Sequence, residues 1–154
     1  MLRKSIGFIN ILLVALVAGT VFGIWLGYNP DMLSSASYVE QQQEAIRALN
    51  VKMPILGAIS ILLTIASAII ARSDRSTLFV LIGAIVFLLV AGLVTRFGNQ
   101  PLNAIVMTWD PQAPPANWME FRDTWWNWHI IRTLASVIGL CLLLFANPME
   151  RRKN

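Results

Sequence analysis

Four long apolar runs limit what this chain can fold into. They extend over residues 6–26, 54–71, 78–94 and 130–146. A helix rises about 1.5 Å per residue, so about 17 to 25 apolar residues cross the roughly 30 Å hydrocarbon core of a bilayer. The chain is 13% charged, about half the share that is typical of soluble domains. These runs predict an integral membrane protein.

The same runs predict an all-α, single membrane domain over residues 1–154. We expect a four-helix bundle with spans at about 6–27, 54–71, 77–95 and 129–146. The first run is too long for a cleaved signal peptide, so we expect it to be retained as an anchor. Two long segments, residues 28–53 and 96–128, then lie on the outer face, and both are expected to carry short helices.

Basic residues cluster on one side of the predicted spans. That side carries Arg3, Lys4, Arg72, Arg75, Arg151, Arg152 and Lys153, and the longer outer segments carry only Arg47, Lys52, Arg96 and Arg122. The positive-inside rule then predicts N-in/C-in topology, with both termini cytoplasmic, in the plasma (inner) membrane. Since the positive charge is explained by topology, the expected partner is the lipid bilayer, and no nucleic acid is expected.

The outer segments contain two groups of polar residues at helical spacing. An amphipathic helix is predicted from about Ser37, and Gln43 and Arg47 share one of its faces. Asn99 is predicted to cap a new short helix with Pro101 in its first turn. Asn103 would then project from the same face as Asn99.

The last helix, predicted from Asn117 to residue 146, carries a polar stripe at the sequence WWNWHIIR, residues 125–132. At 100° per residue, Trp125, Trp128, His129 and Arg132 fall within an arc of roughly 100°. An unpaired charge inside a membrane is costly, so Arg132 should face the bundle interior with a partner. Two interpretations remain open. The stripe lines a buried pocket, or its Trp and Arg residues anchor the helix at the membrane interface.

Metal ions and cofactors find few ligands in this sequence. The chain has one His and one Cys, whereas zinc usually takes three or four protein ligands. We therefore expect no metal and no cofactor. The alternative is a haem with His129 as axial ligand and Met107 or Met119 as the second ligand.

Two short motifs and the four-span plan resemble a small membrane family that includes the anthrone oxygenases of aromatic polyketide pathways. The motifs are Asn-x-Pro-Leu-Asn at 99–103 and Trp-x-x-x-His-x-x-Arg at 125–132, and the tract 38–54 is similar to the family's first outer segment. The resemblance implies a helical bundle that oxidises an electron-rich aromatic with molecular oxygen and without metal or flavin. It also implies that His129, Arg132 and Asn103 are site residues.

These residue types suit such chemistry. Near neutral pH, His129 is the natural candidate for a base that removes a proton. Arg132, with Asn103 or Asn99, could hold a developing oxyanion. Flat apolar walls for a small aromatic or amphiphilic molecule would come from Trp125 and Trp128. Gln43, Arg47 and Asn99 complete the predicted substrate-binding set.

A second interpretation belongs to a different class of function. The protein would be a non-catalytic binding, accessory or assembly subunit, in which the polar groups only pair with one another. Small residues such as Gly57, Gly83 and Gly92 suit close helix contacts within one chain or between copies, so a homo-oligomer is also compatible with the sequence.

Overall fold

The computed structural model describes residues 2–146, with side chains from Ser5 onward. The predicted helix stop at Asn147-Pro148 and the basic residues Arg151, Arg152 and Lys153 lie outside the described residues. The side chains of Arg3 and Lys4 do so too. Within the described range the helices are α1 (Leu2–Gly27), α2 (Ser35–Leu49), α3 (Lys52–Ile70), α4 (Arg75–Val94), α5 (Gln100–Val106) and α6 (Trp118–Ala146), with a short 3-10 helix at Pro30–Met32.

Four of the described helices are long and apolar enough to cross a membrane, which confirms the predicted all-α four-helix bundle. α1 packs against α3 and α6, and α4 packs against α3 and α6, so the four helices close a ring. A tight turn joins α3 to α4 at one end of the bundle, and the longer segments that contain α2 and α5 join α1 to α3 and α4 to α6 at the other end. Neighbouring spans therefore run antiparallel. Their outward faces are exposed and apolar, with large side chains such as Phe8, Leu62, Phe79 and Phe145.

The half of the bundle next to the α3–α4 turn has a dry, close-packed core. This packed half is the cluster Val14, Ala68, Ala71, Leu81, Ala84, Leu88, Leu143 and Ala146. Gly139 lets α4 and α6 approach closely, because a Cβ at this position would lie 3.0 Å from Leu88. The α3–α4 turn ends with Asp74, which caps α4 by accepting hydrogen bonds from the Thr77 hydroxyl at 2.7 Å and the Thr77 backbone N–H at 3.3 Å. These hydrogen bonds, the hydroxyl first, lower the pKa of Asp74.

The opposite end is covered by the two short helices. α2 begins after Ser34, whose hydroxyl accepts a hydrogen bond from the Ser37 N–H, and it packs against α5 and α3. The amphipathic helix predicted from about Ser37 is confirmed, with Tyr38, Val39 and Ile46 on its buried face.

The short helix predicted after Asn99 is present as α5 with Pro101 in its first turn, but the predicted side-chain cap at Asn99 is wrong. The chain does not stop and restart there, because α4 continues through a π-helical segment, Thr95–Asn99, directly into α5. The Asn99 side chain makes no capping hydrogen bond. Its Nδ2 instead donates to the backbone carbonyl of Trp125 at 3.0 Å. The wider turn of the π segment aims this buried amide at α6, which is why the residue cannot serve as a cap.

Candidate functional site

One face of α6 carries the buried residues of the predicted stripe. Trp125, His129 and Ser136 are buried, and Arg132 is partly buried. This spacing of three and four residues keeps them on the side of α6 that faces the other helices. Trp128 is 39% exposed and lies on a different side. The structure therefore brings together three of the four aromatic and charged residues of the stripe.

His129 is fully buried and both of its ring nitrogens are hydrogen-bonded. Arg132 donates to Nδ1 from Nε at 3.1 Å and from Nη2 at 2.8 Å. A guanidinium has only donors, so Nδ1 is the acceptor and the ring proton is on Nε2. Nε2 then donates to the backbone carbonyl of Val21 in α1 at 3.1 Å. These contacts define a neutral imidazole with one tautomer.

Two indole rings stack against this imidazole. The Trp125 ring is parallel to His129 within 7° at a centroid distance of 5.0 Å, and the Trp126 ring is inclined by 17° at 5.4 Å. The two indole centroids are 6.4 Å apart, so the three rings form one compact aromatic cluster, which restricts rotation of the imidazole. Trp126 was not predicted from the sequence to belong to the site.

Arg132 is the partner of His129, but it has no acidic partner. Among the side chains of residues 5–146, no ion pair involves Arg132. Its guanidinium carbon lies 5.6 Å from the centre of the Trp125 ring, within range of a cation–π interaction. A buried cation without a carboxylate is expensive, so this arrangement favours the arrival of an anionic or electron-rich group.

A chain of side-chain hydrogen bonds connects α6, α5 and the end of α2 near Arg132. Trp125 Nε1 donates to Asn103 Oδ1 at 2.8 Å, and Asn103 Nδ2 donates to Asn50 Oδ1 at 2.8 Å. Asn99 contributes the bond to the Trp125 backbone carbonyl. The two asparagines of the predicted motif therefore hold Trp125 in place, and the Asn99 Oδ1 atom has no hydrogen-bond partner among the described residues.

Gln43 and Arg47 take no part in this chain of hydrogen bonds. Gln43 Nε2 donates to the carbonyls of Val106 at 3.0 Å and Trp109 at 2.9 Å, which satisfies the end of α5. Arg47 pairs with Glu44 and reaches Gln43 Oε1 at 3.4 Å. Neither residue contacts the Trp125, His129 and Arg132 group.

Trp128 packs over the π segment. A Cβ added at Gly98 would lie 2.7 Å from the indole Cγ of Trp128, so only glycine leaves room for this ring. The indole thus covers the outside of the junction between α4 and α5. It is separate from the surfaces that line the two cavities described next.

The cap cavity is a space of about 440 Å³ beneath α2. It is lined by Ile24 and Tyr28 at the end of α1, by the α2 face around Gln42 and Ile46, and by Asn103, Trp125 and Arg132. Glu40 and Glu44 at its rim are exposed, so the cavity opens toward water. It combines apolar and aromatic walls with a few polar groups, which is typical of small-molecule sites.

Two further polar residues face this space. Gln42 is 2% exposed, its Nε2 has no partner among the described residues, and its Oε1 accepts from the Tyr28 hydroxyl at a long 3.5 Å. Neither residue was predicted from the sequence to belong to the site. A signal was present for Gln42, which is four residues from Tyr38 and from Ile46 and therefore shares their buried face. Nearby, Tyr38 is fully buried, and burial raises its pKa above the ordinary value.

The bundle cavity is a second space of about 190 Å³, located between α1, α3, α4 and α6. Its walls are mostly apolar, with Val14, Val21, Gly57, Ala91 and Leu88 among them, and Arg132 and Ser136 line its α6 side. Arg132 therefore borders both cavities.

His129 is the residue that a haem or metal ion would need as a ligand. Among residues 5–146, no group of three or more His, Cys, Asp or Glu side chains could hold a metal ion. His129 could bind a haem iron only if one of its two nitrogen hydrogen bonds were broken. Met119 is half exposed on the first turn of α6.

Comparison with known proteins gives one match. A search of curated proteins and a search of solved structures found no match. The model of the family described as anthrone oxygenase matches residues 43–142, well over half of the chain. This range contains both motifs, at 99–103 and at 125–132, and all the predicted site residues. The family predicted from those motifs is confirmed, and the chain belongs to the anthrone oxygenase family.

Proposed function

We propose that this protein is a membrane oxygenase that uses molecular oxygen to oxidise an electron-rich, hydroxylated polycyclic aromatic of the anthrone type. The cap cavity would be the substrate site. The observation that carries the proposal is Arg132, a guanidinium that borders both cavities and has no acidic partner among the described side chains. The family match supports the reaction type.

The cap cavity offers the contacts that a flat phenolic substrate needs. Trp125 provides an aromatic wall and is fixed by its bond to Asn103. The free Nε2 of Gln42 can donate to a substrate oxygen, and the Tyr28 hydroxyl lies beside it. These groups would orient the ring system with one oxygen toward Arg132.

Arg132 and His129 would then act in sequence. A substrate oxygen that accepts from the Arg132 guanidinium competes with Nδ1 of His129 for the same donors. His129 is fully buried and lines neither cavity, so Nδ1 would become accessible only where Arg132 moves away from it. Its lone pair could then take a proton from the substrate carbon. The Nε2–H bond to Val21 remains intact and supports the protonated ring. Arg132 meanwhile stabilises the negative charge that develops on the substrate oxygen.

The remaining chemistry needs only the substrate and dioxygen. Proton loss from the ring methylene gives a carbanion, which passes one electron to O2. The ring radical and the superoxide combine in a C–O bond, and the peroxide is protonated. Loss of the second methylene hydrogen as a proton breaks the O–O bond and releases water. One CH2 and one O2 thus become one C=O and one H2O, without a metal or an organic cofactor.

The proposed location follows from charge. With the positive-inside rule, Arg72 and Arg75 in the α3–α4 turn would be cytoplasmic, together with both termini. The cap cavity would then open on the outer face of the plasma membrane. Cysteine labelling at exposed Ser73 and at exposed Glu44, with a membrane-impermeant reagent on intact cells, tests this orientation. Labelling at Ser73 instead of Glu44 would reverse it.

The direct test is oxygen consumption by the purified protein with hydroxylated anthrones. We expect turnover by the wild type and a loss of about 10²- to 10⁴-fold in His129→Ala, the range for a removed general base. An absorption spectrum and a metal assay on the same sample test the proposal that no haem or metal is required. A Soret band or stoichiometric iron would overturn that part.

His129→Phe is the matched control for shape. Phenylalanine keeps a flat ring against Trp125 and Trp126 but has no nitrogen. If the ring nitrogens do the chemistry, both variants lose activity while the wild type and His129→Phe have similar thermal stability. Full activity in His129→Phe would contradict the proton transfer. Binding of anthrones without oxygen consumption in the wild type would favour the non-catalytic binding subunit.

A further inference from the structure

The bundle cavity is not used by the substrate contacts described above, and it differs from the cap cavity in character. Its lining on α1 and α4 is apolar and includes the buried residues Val14, Val21, Leu88 and Ala91. An apolar cavity of this size stays dry and takes up small apolar molecules such as xenon. Its chemistry therefore fits a small apolar guest better than a phenolic ring.

Small residues create this space. A Cβ at Gly57 would meet no atom within 4 Å, and the nearest atom to a Cβ at Gly92 is Ile61 Cδ1 at 3.9 Å. Ala58 on α3 and Gly92 on α4 line the cavity and are exposed. The cavity thus opens between these two helices at residues that belong to their apolar runs, and the exposed Arg96 lines its end next to α5.

Arg132 joins the two spaces, because it lines the cap cavity on one side and the bundle cavity on the other. An oxidation by O2 has two substrates of opposite character, a polar aromatic and a small apolar gas. Dioxygen, like other apolar solutes, favours hydrocarbon over water. The substrate carbanion and the superoxide formed from O2 are both anions, and each would benefit from the same guanidinium.

We propose that the bundle cavity is the dioxygen site, which takes O2 from the bilayer between α3 and α4 and supplies it to the substrate at Arg132. This inference rests on the proposed function, since it assigns the second substrate of the same reaction. It separates the paths of the two substrates, with the aromatic entering from the water side and O2 entering from the lipid side.

The first test detects O2 without turnover. The protein is labelled at valine and leucine methyl groups in nanodiscs and equilibrated under oxygen pressure, and paramagnetic relaxation is measured by NMR. We expect severalfold faster relaxation at Val14, Val21 and Leu88 than at Leu81 and Leu143. All five side chains are buried, and Val14 and Leu88 belong to the same packed cluster as Leu81 and Leu143, but only Val14, Val21 and Leu88 line the cavity. Equal relaxation in the two sets would overturn the proposal.

A pair of glycine variants ties the signal to the cavity. Gly57→Leu places a side chain in the open space, and Gly23→Leu adds the same side chain to an exposed position on α1 that does not line the cavity. Neither Cβ meets an atom within 4 Å, and leucine is the better helix former. We expect the excess relaxation to disappear in Gly57→Leu and to persist in Gly23→Leu.

Steady-state kinetics then test whether the bundle cavity delivers O2 to the substrate. Gly57→Leu should raise the KM for O2 severalfold and leave the KM for the aromatic unchanged, whereas Gly23→Leu should change neither. An unchanged KM for O2 in Gly57→Leu would overturn the delivery role. Failure of the proposed function has a different signature, since no anthrone would be oxidised while the methyl relaxation still reported O2 in the cavity.

Discussion

The two halves of the bundle are held together by different interactions. In the packed half, small and apolar residues let helices approach until no space remains, as at Gly139 against Leu88. In the polar half, which contains Trp125, His129, Arg132 and the two asparagines of α5 and its π segment, the helices separate around two cavities. There, hydrogen bonds and ring stacking take the place of close packing.

This difference shows where function can be found in such a fold. A close-packed apolar core has no free donor or acceptor and can only stabilise. In the polar half most polar groups are satisfied, and the exceptions are informative. Among the described residues they are the cation of Arg132 without a carboxylate, the Tyr38 hydroxyl, Nε2 of Gln42 and Oδ1 of Asn99. Unsatisfied buried groups are costly, so those facing a cavity are the candidates for ligand contacts.

Among the variants that compare the two halves, the largest effect is expected from Arg132→Gln. Glutamine can still donate one hydrogen bond to Nδ1 of His129 but carries no charge toward the cap cavity. We expect oxygen consumption with an anthrone to fall by about 10²- to 10³-fold, the loss seen when an oxyanion donor is removed.

Arg75→Gln, which removes an exposed guanidinium at the start of α4, is the control and should keep its activity. If Arg132→Gln turned over at the wild-type rate, the polar half would be structural only. The two halves would then differ in packing but not in function.

The packed half is tested by Gly139→Leu. A Cβ at this position already lies 3.0 Å from Leu88 Cγ, so the larger side chain must push α4 and α6 apart. Overpacking of this kind costs about 1–3 kcal/mol in the free energy of unfolding, measured by denaturant titration in mixed micelles. Gly19→Leu, on an exposed face of α1 with no atom within 4 Å, should lose nothing. Equal stability of the two variants would mean that the packed half can accommodate a larger side chain without moving α4 and α6 apart.

A smaller effect is expected from Trp125→Phe. The ring stack on His129 is kept, but Asn103 Oδ1 loses the indole N–H that it accepts at 2.8 Å. The cost should be about 1 kcal/mol in unfolding free energy, since Asn103 lines the cap cavity and water can replace the donor. The KM for an anthrone should rise, because the aromatic wall becomes smaller and less fixed. An unchanged KM would remove Trp125 from the substrate site.

The smallest effect concerns a polar pair at the border of the packed half. Asn10 Nδ2 donates to Thr64 Oγ1 at 3.0 Å, and both side chains are fully buried between α1 and α3. A double-mutant cycle with Asn10→Leu and Thr64→Val should give a coupling of about 0.6 kcal/mol, the average for hydrogen bonds between membrane helices. A coupling of several kcal/mol would show that this half also depends on polar contacts.

Most of the fold could be predicted from the hydrophobicity and helical periodicity of the sequence. Four apolar runs, the amphipathic stripe around Tyr38 and the long last helix all follow from hydrophobicity and period, because these govern which face can meet lipid or protein. The cap at Asn99 was wrong for a local reason. Asn before Pro is typical of a helix start, and the sequence contains no signal for the π segment that carries α4 into α5. Contacts with Trp125 and Trp128 decide that geometry.

Site prediction was less complete. The grouping of Trp125, His129 and Arg132 follows from their spacing on one helix. The sequence predicted that Arg132 has a partner in the bundle interior but did not identify it, and the structure gives His129 on the same helix. Trp128 and Arg47 occupy other surfaces. Gln42 and Tyr28 reach the cavity only because α2 folds over the end of α1, which is a long-range contact without a local pattern.

The sequence by itself determined that this chain is a four-helix membrane bundle and that one face of its last helix carries the unusual polar groups, because lipid exposure and helical period act residue by residue. Only the tertiary structure decided which nitrogen of His129 bears the proton, that Arg132 has no acidic partner among the described residues, and that two cavities meet there. Those properties depend on how α1, α2 and α5 pack around α6. The helical periodicity of a single segment does not predict how it packs against segments distant in the sequence.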